Sequence, residues 1–386
     1  MDFVMFRTCF MLLVTFTVLF VFTMLLTVRH DGFIRVGPLK IRLSTSTETY
    51  KVKLRNTSVP VLIFTYMRSG STLTGDILQH HPGSFYVFEP LRYIDEDIDK
   101  ARTVRFYNGT TRYLGIRKQQ KVWIHAEMMY RWLTCDFRFI NIKDLTSQFL
   151  GSFSLTSKNY AKCIHDNKTT IRAVKRCITL LEKPCARSDL RIVKTIRMAM
   201  ESVNLLLQRL PDLKVIYLIR DPRGKLSSQI MAYGQNWGAV MTLAKETCDR
   251  MMVDTNMMSE LKQKYPDRIR LLLYETLARR PVETSGRIFE YLNINFTNSI
   301  MLSIRSLTSG APGKRDRCIW CSKRGNSRKI AYNWRIKTNV LHLDYIDQTC
   351  ASVYKKVGYV LFKDSHDFRN LNKPLLEYSP FTEDAL

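Results

Sequence analysis

The chain has 386 residues, of which 45% are hydrophobic and 24% charged. That is the balance of a folded globular protein with one large core or two modest ones. The 60 Lys and Arg outnumber the 34 Asp and Glu, leaving a formal charge of +26. Such an excess favours an anionic partner: nucleic acid, a membrane surface or an acidic polymer.

Residues 8–28, "TCFMLLVTFTVLFVFTMLLTV", carry no charge, Pro or Gly, and their length suits one helical crossing of a bilayer. The apolar run is too long for a cleaved signal peptide and lacks its small-residue end. Arg7 and Arg29 flank it, so charge alone leaves the orientation open. With seven residues before the segment and the rest after it, the expectation is an uncleaved signal anchor. Residues 1–7 would be a cytosolic tail, 29–58 a Thr/Ser-rich lumenal stem, and 59–386 a translocated domain. Sequons at Asn56, Asn108, Asn167 and Asn295 fit a secretory lumen. Eight cysteines follow the segment, an even number that fits disulfides there, with the connectivity open. "CIWC" at 318–321 has redox or zinc spacing, but no second CxxC or nearby His pair accompanies it. Structural bridges are the preferred reading.

In chain order, "VPVLIFTY" (59–66) reads as a buried strand. A short helix follows and stops at His80-His81-Pro82-Gly83. The span 84–190 gives no clear periodicity. "LRIVKTI" (190–196) is a strand, "MAMESVNLLLQRLPDL" a helix and "LKVIYLIRDP" a strand, the grammar of a βαβ unit. A long helix is expected over about 238–264, a strand over "RIRLLLYE" (268–275), and a helix over "ETSGRIFEYLNI". A basic loop at 311–329 precedes a last helix over about 331–357. The fold class is α/β: one domain with a parallel sheet covered by helices on both faces.

Such sheets bind ligands at the carboxyl ends of their strands, and two strand ends here are built for anions. After the first strand, "RSGST" brings Arg68, the hydroxyls of Ser69, Ser71 and Thr72, and backbone N–H groups to a helix N-terminus, with Gly70 permitting a tight turn. A nucleoside-triphosphate loop would carry a Lys here; this one has a permanently charged Arg instead. After "LKVIYLI", Arg220 ends a strand, Asp221 is a natural N-cap, and Pro222 suits the first helical position. Ser228 lies seven residues past Asp221, close to the same helix face, so Arg220 and Ser228 can grip one phosphate.

These two loops resemble the signature elements of sulfotransferases that use 3′-phosphoadenosine 5′-phosphosulfate. "RSGSTLTGDILQHHPGSFYVFEPLRY", "LKVIYLIRDPR", "LLLYETLARRP" and "NSRKIAYNWR" are similar, in order, to the Golgi carbohydrate 6-O-sulfotransferases. The resemblance covers roughly 60–360, with 95–185 contributing little. It implies a P-loop-like sulfotransferase fold behind one transmembrane helix, and residence as a single-pass type II protein of the Golgi membrane. It also implies transfer of sulfate to the 6-hydroxyl of N-acetylglucosamine, galactose or N-acetylgalactosamine, with chondroitin, keratan or N-acetylglucosamine-containing glycans as acceptors. No metal and no nucleic-acid partner is expected.

By the same resemblance, Arg68, Ser69, Gly70, Ser71, Thr72, Leu73 and Thr74 form the 5′-phosphosulfate loop, with Arg68 also catalytic. Arg220, Asp221, Pro222, Arg223, Gly224, Lys225, Leu226, Ser227 and Ser228 form the 3′-phosphate element. Glu89, in "FEP", takes the place of the general base; His80 and His81 are alternatives. The basic "GKRDRCIWCSKRGNSRKIAYNWR" is expected to close over the nucleotide, to hold an acidic glycan, or simply to be a solvated loop. Two departures from the family pattern stand out: Gln229, where an Arg often follows the paired serines, and Ser-Thr-Leu where Ser-Ser-Phe is frequent. Two other readings compete. A Golgi glycosyltransferase would use "DED" (95–97) for metal, and a non-enzymatic glycosaminoglycan-binding protein would use the charge alone.

Overall fold

The structure is a computed structural model that describes residues 58–100, 102–114, 118–234, 236–309 and 325–386. The tail, the 8–28 segment, nearly all of the stem, Asn56 and the "CIWC" pair lie outside those residues. Among the described residues no helix is long and apolar enough to cross a membrane.

The sheet has five strands in the order β2-β5-β1-β6-β7: β1 Val59–Thr65, β2 Ser84–Phe88, β5 Leu190–Thr195, β6 Lys214–Ile219 and β7 Ile269–Leu273. Every pairing in it is parallel. Parallel strands need crossovers, and here these are helices. Alternate residues feed opposite cores. Leu62, Phe64, Val87, Val193 and Tyr217 enter one; Val61, Ile63, Tyr86, Ile192 and Ile216 enter the other. That two-sided burial is why these strands read as unbroken apolar runs.

The Met200–Arg209 helix joins β5 to β6 as the spacing predicts, but β1 lies between the two strands. β1 is the hub of the sheet, hydrogen-bonded to β5 and β6. The chain leaves it toward β2 at one edge and later crosses to β6 and β7. The helices after β1 and β6 therefore part, which opens a crevice at the carboxyl end of the sheet.

Two expectations change. The 84–190 span supplies edge strand β2, a small antiparallel pair β3 (Thr103–Arg105) and β4 (Thr111–Tyr113), and several helices. The single helix expected over 331–357 is broken into Ser327–Tyr332, Trp334–Lys337 and Val340–Val357. Asn339 starts the last of these by accepting the Leu341 N–H, and this extended residue interrupts the run.

Three disulfides tie the helical layers: Cys135–Cys185, Cys163–Cys177 and Cys248–Cys350. The last closes 102 residues and pins the Val240–Lys264 helix to the Val340–Val357 helix. In the chain-entropy account, closing a loop of that size contributes roughly 4–5 kcal/mol. Asn108 and Asn295 are exposed and Asn167 is half-buried; Asn108 Oδ1 accepts from the Thr110 hydroxyl at 2.7 Å.

Candidate active site

A cavity of about 820 Å³ opens at the carboxyl end of the sheet, and all five strands deliver residues to it. Met67 and Arg68 follow β1, Glu89 follows β2, Ile196 and Arg197 follow β5, Arg220 follows β6 and Tyr274 follows β7. Two short helices, Ser327–Tyr332 and Trp334–Lys337, close a side with Ser327, Ile330, Asn333 and Trp334.

The loop after β1 is shaped by two left-handed residues, Arg68 at φ 69 and Gly70 at φ 90. A Cβ on Gly70 would stand 2.1 Å from the Tyr274 ring, so only glycine admits both the turn and the tyrosine. No side chain caps the Ser71–Gln79 helix that begins here. Its first N–H groups and its dipole therefore point at the cavity. Arg68, Gly70, Ser71, Thr72 and Leu73 line the space. Ser69 and Thr74 do not: Ser69 is fully buried with its hydroxyl unpartnered, and the Thr74 hydroxyl turns back to the Gly70 carbonyl.

The loop after β6 follows the expected capping. Asp221 accepts the Arg223 N–H and Pro222 opens the Pro222–Tyr233 helix. Arg220, just before that helix, and Gly224, Ser228, Met231 and Tyr233 on it reach the cavity. The other side chains serve the fold. Arg223, fully buried, pairs with Asp221 at 2.8 Å and donates to the Val360 carbonyl. Lys225 donates to Gln229 and Thr247, which accounts for Gln229 as a buried partner. Ser227 accepts from the Thr338 hydroxyl at 2.9 Å. Pro222 and Leu226 are buried and lie off the cavity wall.

The two loops are joined directly. Arg68 Nε donates to the Ser228 hydroxyl at 3.1 Å, and Arg220 Nη1 donates to the Arg68 carbonyl at 3.0 Å. The Arg220 guanidinium also lies 4.7 Å over the Tyr274 ring. Its Nε is buried without a hydrogen-bond partner, as is Trp334 Nε1. Both atoms crowd Gly224, where a Cβ would meet them at 3.0 and 2.8 Å. Two unsatisfied buried donors beside a glycine form a cradle for an acceptor-rich anion, since leaving such groups unpaired is costly.

Glu89 stands on the opposite wall at φ 46, a left-handed conformation that costs on the order of 1 kcal/mol. Its carboxylate pairs with Lys194 and, at 2.6 Å, with Arg197. Burial pushes the Glu89 pKa up, but the two cations outweigh it and hold the group below its ordinary value. For Lys194 burial dominates and lowers the pKa; Glu89 opposes this, and Arg197 and Arg68 add to it. Lys194 and Arg197 escaped sequence reasoning, although a lysine in the buried run "LRIVKTIR" was the available signal.

His80 and His81 lie past the far end of the Ser71–Gln79 helix, bonded to the Asp76 carbonyl and the Gly83 N–H, and do not line the cavity. The "DED" carboxylates sit on the Arg92–Lys100 helix. Asp95 holds His125 and Lys121, Glu96 holds Lys100, and Asp97 holds Asn141 and Lys143. Among the described residues, one cluster could gather a cation: Asp364, His366 and Asp367, away from the cavity wall.

The model of the sulfotransferase family matches residues 60–298. Carbohydrate sulfotransferase 1 of Danio rerio is 24% identical over 356 residues, covering 83% of this chain and 82% of that protein. Carbohydrate sulfotransferase 3 of Mus musculus is 25% identical over 351 residues, covering 82% and 71%. Among solved structures, the sulfotransferase domain of the Synechococcus PCC 7002 olefin synthase aligns with a TM-score of 0.43 at 18% identity. That alignment covers 80% of this chain and 98% of the domain.

Proposed function

The chain belongs to the sulfotransferase family, and on that premise we propose that it transfers sulfate from 3′-phosphoadenosine 5′-phosphosulfate to the 6-hydroxyl of a sugar in a glycan. The observation that carries this reading is the joined pair of anion loops facing Glu89 across one cavity. Arg68, the Ser71 and Thr72 hydroxyls and the open helix N-terminus suit the 5′-phosphosulfate. Arg220, Ser228 and Trp334 Nε1 suit the 3′-phosphate. No β,γ-diphosphate needs chelation, so neither a Walker lysine nor its Mg²⁺ is required.

The reaction is an in-line displacement. The sugar oxygen forms a new bond to sulfur while the bond from sulfur to the 5′-phosphate oxygen breaks, and adenosine 3′,5′-bisphosphate leaves. Glu89, held ionised by Lys194 and Arg197, accepts the hydroxyl proton. Arg68 neutralises the charge that builds on the leaving phosphate. Lys194, paired with Glu89, lines the same cavity as Arg68.

Placement as a type II protein of the Golgi membrane is supported by the apolar 8–28 segment, the sequons and the three disulfides. The test is transfer of ³⁵S-labelled sulfate by the purified lumenal domain to chondroitin, keratan and N-acetylglucosamine-ended glycans, with linkage analysis of the product. Glu89→Gln should lower kcat by about 10²–10⁴-fold while adenosine 3′,5′-bisphosphate still binds. Failure to sulfate any of these glycans would overturn the carbohydrate reading. Heparin binding without affinity for the bisphosphate would favour the glycosaminoglycan-binding alternative.

A further inference from the structure

The cavity has a second half that the donor loops do not occupy. Phe88, Phe149 and Phe153 form an aromatic wall there, with ring centroids 5.3 Å apart for Phe88–Phe149 and 4.9 Å for Phe88–Phe153. Such a wall offers a flat apolar face to one side of a sugar ring, with orientation left to a few polar groups. Two cations meet this wall: Lys194, 4.3 Å over Phe88 and paired with Glu89, and Arg92, whose guanidinium stacks 4.5 Å over Phe149. Stacking fixes the plane of the fork and leaves its edge for an anion.

Arg92 is an exposed cation in an unfavourable place. It is the first residue of the Arg92–Lys100 helix, where the helix dipole opposes positive charge. The nearby acids have other main partners: Asp95 has His125 and Lys121, Glu96 has Lys100 with a lesser pull from Arg92, Asp97 has Asn141 and Lys143, Glu89 has Lys194 and Arg197, and Asp144 accepts the Tyr93 N–H. Among the described residues no carboxylate forms a close ion pair with Arg92. It also lies three residues beyond Glu89, at most about 11 Å of chain, a span that neighbouring sugars of one glycan can bridge.

Building on the carbohydrate-sulfotransferase reading, we infer that Arg92 binds an anionic group, a carboxylate or a sulfate ester, on a sugar adjacent to the one that accepts sulfate. The acceptor is then an acidic glycan, and Arg92 is its specificity determinant. It works through acceptor binding, with no part in the displacement itself.

Two acceptor pairs test this and separate the two sources of charge. One is chondroitin against carboxyl-reduced chondroitin, which share the accepting sugar. The other is partly sulfated keratan against its desulfated form. The wild-type chain should use the acidic member of at least one pair about tenfold better in kcat/KM, as a charge-assisted contact allows. Arg92→Ala should erase that preference through KM, leaving the neutral member and the affinity for adenosine 3′,5′-bisphosphate unchanged. Arg92→Lys should retain part of it. Equal use of both members by the wild type, or an equal loss on both in Arg92→Ala, overturns the inference alone. Weakened bisphosphate binding in Arg92→Ala would move the residue to the donor half and also overturn it. No transfer to any acceptor would remove the carbohydrate reading together with this one.

Discussion

The two anion loops do similar work by different means. After β1, the chain presents backbone: two left-handed residues, an uncapped helix start and short hydroxyls, with Arg68 as the long side chain. After β6, the helix is properly capped by Asp221, and Arg220, Gly224, Ser228, Met231 and Tyr233 reach the cavity. Asp221, Arg223, Lys225, Ser227 and Gln229 are buried scaffolding. The difference teaches that a motif on a helix is diluted by its own periodicity, because about two residues in three must serve packing. A motif on a tight turn can commit nearly every residue to the ligand.

Arg68→Ala should break the comparison most severely, because that side chain belongs to one loop and bonds the other. A fall of about 10²–10³-fold in kcat/KM is expected, on the scale of losing a preorganised donor at a developing charge, read in the sulfate-transfer assay. Normal kinetics would remove the site assignment.

The serine pair sharpens the contrast within one helix. Ser228→Ala should raise the apparent KM for the donor several-fold, since Ser228 faces the cavity beside Arg68. Ser227→Ala should leave KM unchanged and lower unfolding free energy by about 1 kcal/mol, the worth of its buried contact with Thr338. Parallel kinetic and urea-denaturation measurements check both. The reverse pattern would mean that the helix presents its other face to the donor.

An effect on stability alone concerns the support beneath the second loop. Glu275 accepts the Asp221 N–H at 3.0 Å and contacts the Tyr359 hydroxyl. Burial, reinforced by Asp221, pushes its pKa from 4.5 to about 7. The folded state therefore binds the proton more tightly than the unfolded chain does. Stability from this group is present below pH 4.5 and is lost as pH rises to about 7. Glu275→Gln keeps the shape and removes the ionisation, so it should gain about 1–3 kcal/mol at pH 8 relative to wild type. The gain should shrink toward zero at pH 5; thermal unfolding at the two pH values reads it.

Much of the sheet was legible in the sequence. β1, β5, β6 and β7 announce themselves as apolar runs because both of their faces are buried. The edge strand β2, "SFYVF", is just as apolar, but it is five residues long and lies in a stretch without periodicity. Period alone does not separate such a run from a buried helical turn. Both anion loops were legible because strand-to-helix turns have a strict local grammar of Gly, Asp and Pro.

By itself, then, the sequence determined the α/β class, the two strand ends that carry anion chemistry, and Arg68, Arg220 and Ser228 as the residues to watch, since these follow from local spacing. Tertiary structure decided the rest. It put β1 between β5 and β6, which brought Arg68 within 3.1 Å of Ser228 across 160 residues of chain. It paired Glu89 with Lys194 and Arg197 and set Arg92 on Phe149. Those contacts depend on strand order and loop conformation, and hydrophobic pattern encodes which face of a strand is buried without saying which strand lies beside it.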